Sequence, residues 1–201
     1  LGILGFLIFF AFLMVVVSVH EFAHGWVAYK LGDSTAKSSG RLTLNPLAHI
    51  DPVGTIILPL FIYFTTGFFF GTAKPVPINY WALRNPKRDI IWIGLSGPFA
   101  NFIFAIILSV LFKFLPHSSL ISTVFENLIF INVMLGVFNL IPIPPLDGSR
   151  VVMGVLPDKS ARAYMLIEPF GFFIIMFLVW SGVLNVMPWI KYLCNLLGVH
   201  L

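Results

Sequence analysis

The chain has 201 residues, 59% of them hydrophobic and 10% charged, against roughly 25% charged in ordinary soluble domains. That composition, a mean hydropathy of +0.98 and several apolar runs near the ~20-residue spanning length exclude a soluble globular domain and indicate an integral membrane protein of helical type. The net charge of +4 does not indicate a nucleic-acid surface, because the basic residues are not gathered with aromatics on one polar face and read as orientation signals in membrane loops.

Residues 1 to about 31 read as one helix, in which Ser18 is the only polar side chain before His20-Glu21-Phe22-Ala23-His24. The segment is too long for a signal-peptide apolar region and carries this motif, so it is expected not to be a cleaved leader. On a helix, His20 and His24 lie one turn apart on the same face. That spacing suits two imidazole nitrogens closing on one Zn²⁺, with Glu21 beside them to take a proton from water. The plain alternative is a pair of hydrogen-bonded histidines at a helix end. Three ionisable side chains within five residues of an apolar segment cost several kcal/mol without partners, which favours a functional site.

Gly32-Asp33-Ser34 ends the first helix, glycine being the favoured residue just past a helix. Residues 33–44 are polar, and 36–52, with Pro46, Pro52, His49 and Asp51, read as extended or irregular backbone or a short strand pair. A second apolar run covers 53–71, followed by Lys74-Pro75-Val76-Pro77 and a basic loop with Arg84, Lys87 and Arg88. The third run, about 90–115, contains Ser96-Gly97-Pro98-Phe99-Ala100-Asn101. The fourth, 120–141, leads into Pro142-Ile143-Pro144-Pro145-Leu146-Asp147-Gly148. Residues 163–184 make a further spanning candidate, and 186–201, with Trp189, Lys191 and Tyr192, look interfacial. The expected fold is an all-α polytopic bundle of about five to six membrane-embedded helices, with a short extended or β-like re-entrant segment near the active site. It forms one transmembrane domain over 1–201, with core motifs within 10–155 and additional C-terminal membrane helices over 156–201.

The loops at 30–41, 74–88 and 150–162 hold ten of the twelve Lys and Arg residues. By the positive-inside rule all three belong in the cytoplasm and 116–119 outside. In that arrangement 53–71 is not a single crossing: it re-enters on the same side, or one loop assignment is wrong.

A catalytic zinc usually takes three protein ligands and keeps an open position for water. The third ligand comes from His49, Asp51, Glu126, Asp147 or Glu168, the candidates in or near apolar segments. Asp147 is best placed: it follows a proline-rich break, Gly148 permits close approach, and the orientation argument puts it level with the histidines. Its alternative role is capping a helix over 148–155. His49 and Asp51 are also candidates to support a ligand from behind. An amide such as Asn101 either donates to a developing oxyanion or ties two helices together.

The ordered set HEFAH, SGPFAN and NLIPIPPLDG resembles the site-2 protease family of intramembrane zinc metalloproteases over roughly residues 10–155. The resemblance implies one Zn²⁺ per chain held by His20, His24 and Asp147, with Glu21 as general base and acid. It further implies that Asn139 holds substrate or steadies the oxyanion and that Asn101 lies near the substrate path. Neither a PDZ-like segment nor a cystathionine-β-synthase-like domain appears in these residues, which matches the compact form of the family.

The expected function is hydrolysis of a peptide bond within a transmembrane segment of another membrane protein, as in regulated intramembrane proteolysis, near its cytoplasmic side in a prokaryotic plasma membrane. The expected partners are that substrate and the lipid bilayer, with no nucleic acid; the sequence sets no oligomeric state. The alternative is a polytopic metal-binding or ion-transport protein, which leaves Glu21 without a task and lacks the repeated halves common in transporters.

Overall fold

The computed structural model describes residues 3–57, 60, 73–116 and 120–200. Its helices are α1 (Ile3–Lys30), α2 (Thr35–Ser38), α3 (Pro86–Phe112), α4 (Leu120–Asn139), α5 (Asp147–Val155), α6 (Asp158–Met165), α7 (Glu168–Trp180) and α8 (Met187–Leu196). Short 3₁₀ turns cover Pro46–His49 and Tyr80–Ala82, and a π-helical turn covers Pro52–Ile57. No strand occurs among the described residues.

Among the described residues, three helices are long and apolar enough to cross a membrane: α1 over Leu7–Lys30, α3 and α4. The run expected to span at 163–184 is divided, since α6 and α7 meet at 66°. With 13 residues, α7 is about 20 Å long, short of the ~30 Å hydrocarbon thickness. It still carries the chain along the bundle. Gly171 at its start packs on the Pro144 carbonyl, and α8 beyond it joins a core cluster with Leu108 and Phe112 of α3 and Ile129 and Val133 of α4.

Each long helix ends where its sequence lets it. Gly32 adopts φ 118°, a left-handed turn that a side chain would strain. Near that end Lys30 lies over the Trp26 ring at 5.6 Å, and Lys37 Nζ donates to Tyr29 Oη at 3.0 Å, the aromatic and basic anchoring typical of a membrane interface. Pro86 opens α3, where its missing N–H is not needed, and the Asn85 amide donates to Asp89 Oδ2 at 2.8 Å. Gly136 of α4 faces the Phe102 ring of α3; a Cβ there would sit 2.9 Å from it, so glycine sets the close approach of the two helices.

The three basic loops meet at one end of the bundle. Arg41 Nη2 donates to the Lys74 carbonyl at 2.7 Å, the Arg84 amide donates to the Leu31 carbonyl at 3.2 Å, and Lys87 pairs with Asp158. The Lys74 amide also donates to the His49 carbonyl at 3.0 Å, so both flanks of the 53–71 run lie at that same end. Most of the run itself, 58–59 and 61–71, falls outside the described residues, as does 117–119 of the link expected on the other side.

A strap without helix or strand, 73–79, packs against the C-terminal half of α1 and the turn after it. Two of its residues, Pro75 and Pro77, have no N–H to offer a neighbouring strand. The Val76 amide between them and the Asn79 amide donate to side chains, Glu21 Oε2 and Asp33 Oδ2, each at 2.7 Å.

Candidate metal centre

His20 and His24 lie on adjacent turns of α1, and both are buried. Their Nε2 atoms are 3.0 Å apart. Asp147 Oδ2, from the first turn of α5, lies 2.9 Å from His20 Nε2 and 3.0 Å from His24 Nε2. The two ligand-bearing elements are 123 residues apart in the chain. They meet because the 140–146 turn reverses the chain after α4, and because Gly148 has no Cβ, which would sit 2.3 Å from the Leu140 carbonyl oxygen.

The other ring nitrogens fix the tautomers. His24 Nδ1 lies 2.7 Å from the Ile93 carbonyl oxygen, which can only accept, so His24 donates from Nδ1 and keeps the Nε2 lone pair. Ser96 Oγ shares that neighbourhood, 3.3 Å from His24 Nδ1, while donating to the Ile93 carbonyl at 2.7 Å. His20 Nδ1 donates to Asn101 Oδ1 at 2.9 Å. Both acceptors come from α3, so one helix orients both imidazoles from behind.

Two Nε2 lone pairs and a carboxylate oxygen therefore converge with little protein donation between them. Such a set is unfavourable until a cation joins it. Ligands at 2.0–2.1 Å around a tetrahedral zinc sit about 3.3 Å apart, close to the spacing here. Gly97 supplies the room: a Cβ there would stand 2.4 Å from His24 Nε2 and 2.6 Å from His20 Nε2. The residues fit a zinc ion, and this is the one trio of His, Cys, Asp or Glu among the described residues whose donor atoms all lie within 4.8 Å of one another.

Glu21 projects beside the cluster, half-buried, and its Oε2 accepts from the Val76 amide. Gly25 allows the strap this close, since a Cβ there would touch Val76 Cγ1 at 3.0 Å. Asp147 does not cap its helix: Leu146 occupies the capping position, the second carboxylate oxygen faces Arg150 Nη1 at 3.2 Å, and the first faces the histidines.

The remaining sequence candidates lie elsewhere. Asn139, on the last turn of α4, donates back to the Leu135 carbonyl at 3.1 Å. His49 is buried with Nε2 2.9 Å from the Thr43 carbonyl oxygen, and Asp51 Oδ2 accepts from the Gly54 amide at 2.7 Å. Glu126 sits near the start of α4 and Glu168 in the exposed first turn of α7, both away from the trio. Sequence reasoning did not find the Ile93 carbonyl, the Val76 amide, Ser96 or Arg150. The first two are backbone groups with no signature in the residue type, and Ser96 lies inside the SGPFAN motif.

A family model described as Peptidase family M50 matches residues 8–127 and 115–178. YwhC of Bacillus subtilis, named provisionally as a zinc metalloprotease, is 38% identical over 176 residues, covering 83% of this chain and 76% of that protein. Rip2 of Mycolicibacterium smegmatis, with the same provisional naming, is 30% identical over 90% of this chain and 69% of its own length. A protein of Methanocaldococcus jannaschii named as a zinc metalloprotease is 28% identical over 76% of this chain and 35% of its own length. No solved structure gives a significant match.

Proposed function

The chain belongs to peptidase family M50, the site-2 protease family, and on that premise we propose that it is an intramembrane zinc endopeptidase. The observation that carries the reading is the convergence of His20, His24 and Asp147 with Glu21 alongside. The names of its relatives, which describe them as zinc metalloproteases, support the choice of metal and reaction.

In this reading His20 Nε2, His24 Nε2 and Asp147 Oδ2 hold one zinc. When bound, the ion supplies Lewis-acid polarisation of the scissile carbonyl and makes water more acidic, towards a pKa of about 7. Asn101 and the Ile93 carbonyl keep both imidazoles in the tautomer that offers Nε2 inward. Glu21 takes a proton from the attacking water and delivers it to the leaving amine, within reach because it follows His20 directly. The Val76 amide occupies Oε2, which turns Oε1 to the reaction. Asn139, eight residues before Asp147 in the chain, is proposed to hold the substrate backbone or its developing oxyanion.

The substrate class is a transmembrane segment of another protein, cut as in regulated intramembrane proteolysis. Depth supports this. The interfacial pair of Trp26 and Lys30 lies two to ten residues beyond the two histidines, which is roughly 3–15 Å along the helix towards the apolar layer. A helical substrate must unwind there, and the irregular backbone over 41–55 is proposed as its edge-pairing dock. Residues 1–201 are proposed to act as one transmembrane protease domain with about five to six membrane-embedded helices. The meeting of three basic loops at the Glu21 end supports an active site facing the cytoplasm, and the membrane proposed is a prokaryotic plasma membrane.

The test is zinc content and substrate cleavage of the purified protein, wild type beside Asp147→Ala and Glu21→Gln. The expected result is about one zinc per chain, lost in Asp147→Ala and kept in Glu21→Gln, with cleavage lost in both. Cleavage that survives Glu21→Gln overturns the protease mechanism, and an ion flux that survives it selects a transport site instead.

A further inference from the structure

Asp147 offers its two carboxylate oxygens to different partners. Oδ2 faces both histidine Nε2 atoms, while Oδ1 lies 3.2 Å from Arg150 Nη1. Arg150 is three residues further along α5, on the same face, and its side chain is only 24% exposed. Its stem is fixed against α3. Gly94 lacks the Cβ that would stand 2.8 Å from Arg150 Cβ and 2.9 Å from the Asp147 carbonyl oxygen, so α5 lies directly on the α3 backbone at these two residues. The guanidinium thus has little freedom, and the charge-assisted contact it makes is among the stronger hydrogen bonds.

We infer that Arg150 is a positioning residue that keeps Asp147 a one-oxygen ligand. A carboxylate beside a metal can bind through one oxygen or both. With Oδ1 engaged by Arg150, only Oδ2 turns to the ion. The protein then fills three positions, and the fourth stays open for the reacting water. Without the guanidinium, Oδ1 is free to swing onto the metal and close that position. This rests on the proposed ligand set of His20, His24 and Asp147.

The test loads the full-length purified protein with cobalt(II) and reads its visible absorption and its rate of metal release to a chelator. Four-coordinate cobalt absorbs severalfold more strongly than five-coordinate cobalt. Wild type is expected to give the strong band. Arg150→Met, which keeps length and loses charge, is expected to lose intensity severalfold and to release metal with a rate changed at least about tenfold. Arg150→Lys, a point charge without the planar fork, is expected to fall between them, and it carries the test if Arg150→Met does not fold. A spectrum and release rate unchanged in the variant overturn the positioning role. A wild type that binds no cobalt, or an Asp147→Ala protein with the wild-type spectrum, overturns the ligand set instead, so the two failures are distinct.

Discussion

The two sides of the candidate centre are built differently. On the histidine side, Asn101 and the Ile93 carbonyl reach across from α3, inside packed helices, and Asn101 is fully buried. On the Glu21 side, the partner is a backbone amide from an irregular strap among polar loops. The candidate ligands are held by helix packing, which is stiff. Glu21, the proposed proton-transfer group, is held by a loop, which can adjust as a substrate arrives. Metal affinity and turnover are therefore expected to respond to different substitutions.

Gly97→Leu gives the sharpest separation. A side chain at that position enters the space between the two Nε2 atoms, so metal content is expected to fall to background and cleavage with it, as read by metal analysis. Retained zinc would show that α3 can move away from α1. Asn101→Leu comes next. It removes the acceptor for His20 Nδ1 at similar volume, and zinc affinity is expected to drop about 10–100-fold, measured by competition with a chelator. Val76→Pro tests the other side with a smaller effect. It deletes the one N–H between Pro75 and Pro77, and the expected outcome is a kcat about tenfold lower with zinc content unchanged, while Val76→Ala stays near wild type. A Val76→Pro protein that loses zinc would join the two sides into one unit and erase the contrast.

The trio itself was legible because its chemistry is written in residue identity. An i,i+4 histidine pair with an adjacent glutamate needs only local helix geometry, and the proline-rich turn advertised a break just before Asp147. Charge counting also read correctly at the level of clustering, since the three basic loops do touch. What stayed hidden depends on how helices cross. Asn101 was expected near a substrate path; its place behind His20 follows from the rotation of α3 against α1, which no spacing in one segment encodes. The strand pair expected within 36–52 is absent: α2, the 3₁₀ turn at Pro46–His49 and the π-helical turn from Pro52 take up much of that stretch, and Pro46 and Pro52 have no N–H for a ladder. The division of 163–184 turns on a 66° bend that apolar composition does not signal.

The distance in sequence between the histidines and Asp147 has a thermodynamic consequence. An ion bound by donors from α1 and α5, and backed by α3, can bind fully only when those three elements are assembled. Its binding free energy is then also assembly free energy, and a site at 1,000 times its dissociation constant adds about 4 kcal/mol to the stability of the bundle. On the proposed ligand set, removal of the metal would loosen the helix arrangement as well as silence the proposed chemistry.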